Sequence, residues 1–151
     1  KMNLKGYENP IKSVKLSQSY FSCKDRENEL HFYVDDIKIT ELTDSVANIA
    51  TEKLDSLFKY ADSIGIELYV LIAADKYEVY QNYIVDNPYP PKTLLTKFMD
   101  LYNHPHLINS RDTLSRLVEK GVQDVYWANN THWGIIGSKA VAEQVLQHIE
   151  Q

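Results

Sequence analysis

Hydrophobic residues recur at helical spacing in five stretches of the chain. In the clearest of them, 46–64, apolar residues repeat every three or four positions, and Gly65 follows where a helix end favours a left-handed residue. Thr43 or Asp44 precedes the stretch and is suited to cap its first turn. The same spacing predicts further helices over 77–80, 94–101, 114–118 and 141–149.

Apolar runs of strand length lie between these helices. The run 66–74 is almost continuously apolar, which is typical of a central parallel strand that is covered on both faces. Shorter strands are predicted over 106–109 and 122–127. Because helices alternate with strands, we expect an α/β domain of three layers, in which a short parallel sheet of flavodoxin-like topology carries helices on both faces.

The amino-terminal part gives the weakest signal. Polar residues dominate residues 1–30 without a sustained period, so we predict an irregular lead-in there and a domain over 31–151. The run 30–40 is rich in aromatic and β-branched residues around Asp35 and Asp36. This pattern predicts a short hairpin or a bent strand.

Composition and charge exclude several classes of protein. A chain of 151 residues can bury the core of one domain without disulfides or metal ions, and the lone Cys23 cannot form an internal disulfide. The net charge of −5 argues against a general nucleic-acid binder, which needs a basic surface. The apolar run 66–74 contains Glu67 and is far too short to cross a bilayer. Because the chain opens Lys1-Met2, we expect a processed or engineered form that lacks any targeting segment.

Two polar segments follow predicted strands and are the candidates for chemistry. Asp75 and Lys76 follow the central strand, and the segment 129–133, Asn-Asn-Thr-His-Trp, follows the strand that ends at Trp127. Ligands of open α/β sheets bind beyond the carboxyl ends of the strands, so these positions are favoured for function.

The segments 65–80 and 124–140 resemble the SGNH-hydrolase-like domain of alginate O-acetyltransferases and related cell-surface polysaccharide O-acetyltransferases. In that family a Pro-Asp-Lys-like turn follows a strand, and an Asp-Thr-His-Trp turn opens a helix. The present chain has Ala-Asp-Lys at 74–76 and Asn-Thr-His-Trp at 130–133, and the resemblance extends over about residues 45–150. It implies an SGNH-like three-layer fold.

The resemblance also implies roles for individual residues. His132 matches the catalytic histidine, which takes a proton from a serine hydroxyl and later returns it, a role that suits an imidazole near neutral pH. Asp75, Lys76 and Trp133 are implied to contact the substrate. Gly137 matches the glycine that opens the following helix, where backbones pack closely.

Two departures from the family pattern concern the catalytic groups. Asn130 occupies the place of the catalytic acid two residues before His132, and Asn129 occupies the alternative place three residues before it. Exchange of the acid for its amide costs about 10⁴ in turnover in a serine protease. Asp124 is the nearest upstream carboxylate in the sequence to take its place. The chain also has no Gly-Asp-Ser turn, and we expect Ser138 to be a helix cap rather than a nucleophile.

Other features have simpler interpretations. His104-Pro105-His106 has the spacing of some metal sites, but no further ligand cluster accompanies it, so we interpret it as a loop. Several tyrosines near the proline-rich segment suggest a sugar-stacking surface, although a partly wetted edge of the core explains most of them, namely Tyr77, Tyr80, Tyr83 and Tyr89.

The sequence therefore leaves three functional hypotheses. The first is a part, truncated at the carboxyl end, or a degenerate version of an SGNH-like O-acyltransferase or esterase domain that acts on a polysaccharide or another acyl ester outside the cytoplasm, at the cell surface or in the periplasm. In it His132 is the general base and a serine beyond this chain is the nucleophile. The second is a non-catalytic module that binds glycan or protein, and the third is a generic α/β domain whose resemblance is accidental. No metal or organic cofactor is implied, and the oligomeric state stays open.

Overall fold

The protein is a mixed α/β chain with two short sheets. The computed structural model describes residues 10–38, 44–89, 91 and 94–150. Its elements in chain order are β1 (Ile11–Lys15), β2 (Glu29–Tyr33), α1 (Val34–Lys38), α2 (Asp44–Ser63), β3 (Val70–Ile72), α3 (Lys76–Tyr80), a 3₁₀ turn (Gln81–Tyr83), α4 (Leu94–Leu101), β4 (Leu107–Asn109), α5 (Ser110–Glu119) and α6 (Ile135–Ile149).

The parallel sheet consists of β3 and β4. Val70 pairs with Leu107, and Ile72 pairs with Asn109. Two parallel strands cannot be joined by a tight hairpin and need a long crossover connection. Here the connection runs through α3 and α4. The predicted helices, the strand near 106–109 and one parallel pairing are thus confirmed.

The prediction of a long central strand over 66–74 is wrong. Only Val70–Ile72 is strand, and within the described residues its one neighbour in the sheet is β4. Residues 66–69 enter the strand as irregular backbone, with Ile66 exposed. A continuous apolar run does not distinguish a covered strand from an extended segment at the edge of a sheet.

The amino-terminal prediction also needs correction. Residues 11–15 are a strand that pairs antiparallel with β2, although they were expected to be irregular. The predicted hairpin at Asp35 and Asp36 is instead the helix α1. Both carboxylates lie in its first turn, where negative charge interacts favourably with the helix dipole. Asp36 Oδ2 also accepts a hydrogen bond from the Tyr33 backbone N–H at 3.2 Å. Thr43, a predicted cap of α2, and Thr40, the last residue of the predicted hairpin or bent strand, lie outside the described residues.

Two hydrophobic clusters form the core. The larger one joins β1 and β2 to α3, α5, α6 and the segment 125–128, and it contains Tyr20, Tyr77, Tyr80 and Tyr126 in fully buried positions. The smaller one lies under α2 and α4 and contains Phe58, Phe98, Tyr102 and Leu107. The tyrosines near the proline-rich segment are therefore mainly core residues, as the simpler interpretation held, with Tyr83 and Tyr89 half-buried.

Ser110 connects the end of β3 to the start of α5. Its fully buried hydroxyl donates to the Ile72 carbonyl oxygen at 2.8 Å and accepts from the Ala74 N–H at 3.0 Å. The Asn109 side chain caps α5 by accepting from the Arg111 N–H. These bonds fix the backbone of Ala74 at the carboxyl end of the parallel pair.

Candidate functional site

The segment 125–134 forms a small hairpin, which we call the site hairpin. Tyr126 and Trp133 pair across it, the Trp127 N–H donates to the His132 carbonyl oxygen at 3.1 Å, and the Gly134 N–H donates to the Val125 carbonyl oxygen at 2.9 Å. The strand predicted over 122–127 is reduced to this one bridge.

At the paired positions 126–127 and 132–133 of the site hairpin, buried or half-buried side chains alternate with exposed ones. Tyr126 is fully buried and Trp133 is half-buried, whereas Trp127 and His132 are exposed. This is the alternation expected of paired extended strands. His132 therefore stands on the outer face, opposite Trp127.

Lys76 clamps the loop of the site hairpin from below. Its ammonium nitrogen donates to the carbonyl oxygens of Trp127 at 2.7 Å, Ala128 at 3.3 Å and Asn130 at 3.1 Å, and it lies 4.6 Å from the centroid of the Phe21 ring. Three acceptors match the three donors of the ammonium group. Burial lowers the pKa of Lys76 to about 7. Because the side chain is fully buried, it holds the loop rather than facing the solvent.

Tyr126 attaches the inner face of the site hairpin to β3. Its hydroxyl donates to the Ala74 carbonyl oxygen at 2.9 Å and accepts from the Trp133 indole N–H at 3.2 Å. Burial raises the pKa of Tyr126. Trp133, implied to contact substrate, thus also has a bond that fixes its ring against the core.

Asp75 has a structural bond at the end of β3. It is the N-cap of α3, and its carboxylate accepts from the Glu78 backbone N–H at 2.8 Å. The same first turn of the helix is linked to α5 by an ion pair of 3.3 Å between buried Glu78 and Arg111. Asp75 and Lys76 are adjacent in sequence but have different structural roles. Asp75 caps α3, whereas the buried Lys76 binds the loop of the site hairpin.

Asn130 is committed to the backbone of the loop. Its side-chain oxygen accepts from the His132 N–H at 2.9 Å, which is an Asx-turn. Asp124 Oδ1, the upstream carboxylate, accepts from the Ser22 N–H at 2.9 Å. Within the described part of the chain, no carboxylate bonds the His132 ring.

A depression of about 480 Å³ opens beside His132. Three parts of the chain line it: Ala73 and Ala74 at the end of β3, Thr131, His132 and Trp133 of the site hairpin, and Ser138 of α6. The structure thus brings the carboxyl end of the parallel pair and the histidine turn together, as the strand-end argument expects.

The start of α6 corrects the prediction for Ser138. Gly134 is the N-cap, so Ser138 lies one turn inside the helix and is not a cap. Its hydroxyl-bearing side chain lines the depression instead. Gly137 is a point of close backbone packing, as the resemblance implies, because a methyl group added there would overlap the Val125 carbonyl oxygen.

Sequence reasoning missed Trp127 and Tyr126. Both lie in an unbroken apolar triplet, Val125-Tyr126-Trp127, which contains no alternation to show which ring faces outward. The β-bridge between Tyr126 and Trp133, together with the bond of buried Lys76 to the Trp127 carbonyl oxygen, determines which of the two rings faces outward.

No protein-family model, curated protein or solved structure matches this chain. The likeness to polysaccharide acetyltransferases therefore depends on the segments 65–80 and 124–140 alone. Across the part of the chain that the structure describes, no helix has both the length and the apolar character that a bilayer span requires.

Proposed function

We propose that this domain binds an acyl ester of a glycan in the depression and that His132 acts there as general base and acid. The observation that carries the proposal is that His132 lines the depression at the carboxyl end of β3, on a loop held by the Lys76 clamp. The motif around His132 supplies the class of reaction through its likeness to O-acetyltransferases.

We also propose that β3, β4, α5 and α6 belong to an SGNH-like three-layer arrangement. The parallel pair, the contacts of α5 with α6 and the contacts of α6 with β4 support it. A glycan substrate of this class favours a location outside the cytoplasm. The proposed reaction requires no metal or organic cofactor.

Within this chain the simplest reaction is hydrolysis. A water oxygen attacks the acetyl carbonyl carbon while an imidazole nitrogen of His132 takes the proton, and the bond to the sugar oxygen breaks as that proton is returned to it. The products are acetic acid and the free sugar hydroxyl. Since the chain has no Gly-Asp-Ser turn, the proposal assigns no serine nucleophile to it.

The test is hydrolysis of p-nitrophenyl acetate by the 151-residue chain. General base catalysis contributes about 10² to 10⁴ in rate, and without an orienting acid we expect the lower end or less, about tenfold over His132→Ala. His148→Ala is the matched control, because His148 is bonded to the Gln144 carbonyl oxygen on α6 and lies outside the depression. Equal rates for the parent chain and His132→Ala would refute the proposed reaction.

The second candidate is a non-catalytic glycan-binding module. The bonds of Asn130 and Asp124 to backbone N–H groups favour it, because they leave the imidazole without an orienting carboxylate. Asn130→Asp separates the two candidates. A carboxylate can keep the Asx-turn with one oxygen and offer the other to the His132 imidazole. A catalytic domain should therefore hydrolyse the ester faster in Asn130→Asp, and this gain should disappear in the His132→Ala background. A binding module should stay at background in both.

A further inference from the structure

We propose that α2 pairs antiparallel with α2 of a second copy of this chain, so that the protein forms a two-fold symmetric dimer. The contact is made by a row of exposed apolar residues on α2, which we call the exposed stripe: Val46, Ile49, Leu57, Tyr60 and Ile64. This inference does not depend on the proposed function.

The first support is the amount of apolar surface on α2. One face of the helix packs in the smaller cluster through Ala50, Leu54 and Phe58. The residues of the exposed stripe lie on the adjoining face, and each of them is between 46% and 63% exposed. At about 100° per residue, the stripe covers an arc of roughly 80°. A surface helix normally has one apolar arc, directed toward its own core, so α2 carries a second arc that another helix can bury.

The second support is that the exposed stripe is continuous. Its positions follow one another in steps of three and four residues, with Lys53 between Ile49 and Leu57, and side chains at such spacing have Cβ atoms about 5–6 Å apart. The row is roughly 27 Å long at about 1.5 Å per residue. By contrast, the exposed apolar residues of α6 lie at its two ends, as Ile135, Ile136, Leu146 and Ile149. Single exposed apolar residues are ordinary, whereas a contiguous patch marks an interaction surface.

The third support identifies the occupant as a second copy. In an antiparallel pair, the register that places Val46 opposite Ile64 of the second copy also places Lys53 opposite Leu57, and the two remaining stripe positions then face each other. Stripe therefore meets stripe along the whole row, as a self-complementary two-fold contact requires. Lys53 fits this contact because its aliphatic stem can cover Leu57 of the second copy while its ammonium group stays in water.

The fourth support is the charge beside the stripe. Glu52 and Lys59 are both exposed, and because they are seven residues apart they lie on the same side of the stripe. In the antiparallel register Glu52 of each copy comes beside Lys59 of the other, which gives two symmetric ion pairs. In a parallel pair in register, each charged residue, including Lys53 within the stripe, would instead meet the same charge on the second copy. Such like-charge contacts disfavour the parallel order.

The experiment is sedimentation equilibrium of the intact chain over about 5–500 µM. One pair of helices is a small interface, so we expect a dissociation constant of about 10–100 µM and a rise from the monomer mass toward twice that mass across this range. Leu57→Glu places a carboxylate inside the contact and should weaken dimerisation at least tenfold. Leu146→Glu makes the same change at a residue that is 55% exposed on α6, and it should leave dimerisation unchanged.

Exchange of the flanking charges tests the antiparallel order. Glu52→Lys brings two lysines together at each flank, and Lys59→Glu brings two glutamates together, so each variant alone should dimerise at least threefold more weakly than the parent. In an equimolar mixture of the two variants, every flank again pairs an acid with a base, and the affinity should return to that of the parent. Both changes are at exposed positions, and circular dichroism confirms that each variant is folded.

Three outcomes would overturn the inference. The first is a chain that is monomeric over the whole concentration range. The second is a Leu57→Glu variant that dimerises as tightly as the parent while its circular dichroism is unchanged. The third is a pair of charge variants that each dimerise as tightly as the parent, which would contradict the antiparallel register. None of these measurements involves ester cleavage, so their failure is distinct from failure of the proposed reaction.

Discussion

Two histidine-bearing turns of this protein use their imidazoles in opposite ways. In the turn that leads into β4, the His104 ring stacks on Phe58 with centroids 3.9 Å apart, and its Nδ1 accepts from the His106 backbone N–H at 3.2 Å. The His106 ring lies 4.6 Å from the Tyr69 ring, and its Nε2 is 3.8 Å from Glu67 Oε1. Both imidazoles also contact the Phe58 ring of the smaller cluster, so they have a structural role.

In the site hairpin only the backbone of His132 is engaged. Its N–H donates to the Asn130 side chain and its carbonyl oxygen accepts from the Trp127 N–H, while the ring is exposed at the edge of a depression. The comparison teaches that the buried Lys76 replaces the histidine as the stabilising group of this turn. The exposed His132 imidazole therefore contributes little to the stability of this turn.

The largest change in this comparison should come from removing the clamp. At pH 9, above its folded pKa of about 7, the Lys76 amine is neutral and keeps two N–H donors for the three carbonyl oxygens. Lys76→Met removes both donors, and we expect a loss of about 2 kcal/mol in the free energy of unfolding at this pH. Urea denaturation followed by circular dichroism measures it. Lys139→Met, a change at a lysine that is 77% exposed, should stay within about 0.5 kcal/mol. Equal stability of the two variants would contradict the clamp.

A pH series sharpens the same contrast. The Lys76 side chain titrates near its ordinary value of 10.5 in the unfolded chain, whereas burial lowers its pKa to about 7 in the folded protein. Between these values the unfolded state binds more protons, so the stability of the parent relative to Lys76→Met rises with pH. Urea titrations at pH 7, 8 and 9 should show an increase of about 1–2 kcal/mol from pH 7 to pH 9. A constant difference would mean that the carbonyl oxygens and the Phe21 ring keep the group charged throughout.

The smallest effects test the two histidines directly. His104→Ala removes a stacked ring and a hydrogen-bond acceptor, and it should cost about 1–2 kcal/mol. His132→Ala should change stability by less than about 0.5 kcal/mol, because its ring is exposed. Thermal and urea unfolding of both variants at pH 7.5 measures these losses in the free energy of unfolding. A larger loss for His132→Ala than for His104→Ala would reverse the comparison.

Helices were the most predictable part of the fold. The spacing of apolar residues over 46–64 and the position of Gly65 predicted α2, which ends at Ser63 with Gly65 at φ 71°. Gly121, at φ 74°, likewise follows α5. These signals are local: a residue and its neighbours within two turns determine them.

Strands and the roles of polar residues were less predictable. Whether 11–15 is a strand depends on β2, which lies fourteen or more residues away, and nothing in its own sequence indicates that partner. The same holds for Lys76, whose three acceptors lie 51 to 54 residues further along the chain. A strand-end lysine has the same local sequence whether it faces substrate or is buried under a loop.

The sequence by itself determined which stretches are helical and where α2 ends, that helices alternate with short strands, and that a polar turn with His132 follows an apolar segment. Tertiary structure alone decided that Trp127 and His132 face outward, that Tyr126 faces inward, and that Asn130 and Asp124 bond backbone N–H groups. The physical reason is that local pattern fixes backbone conformation, whereas the fate of a polar or aromatic side chain depends on which distant donors and acceptors burial brings within about 3 Å.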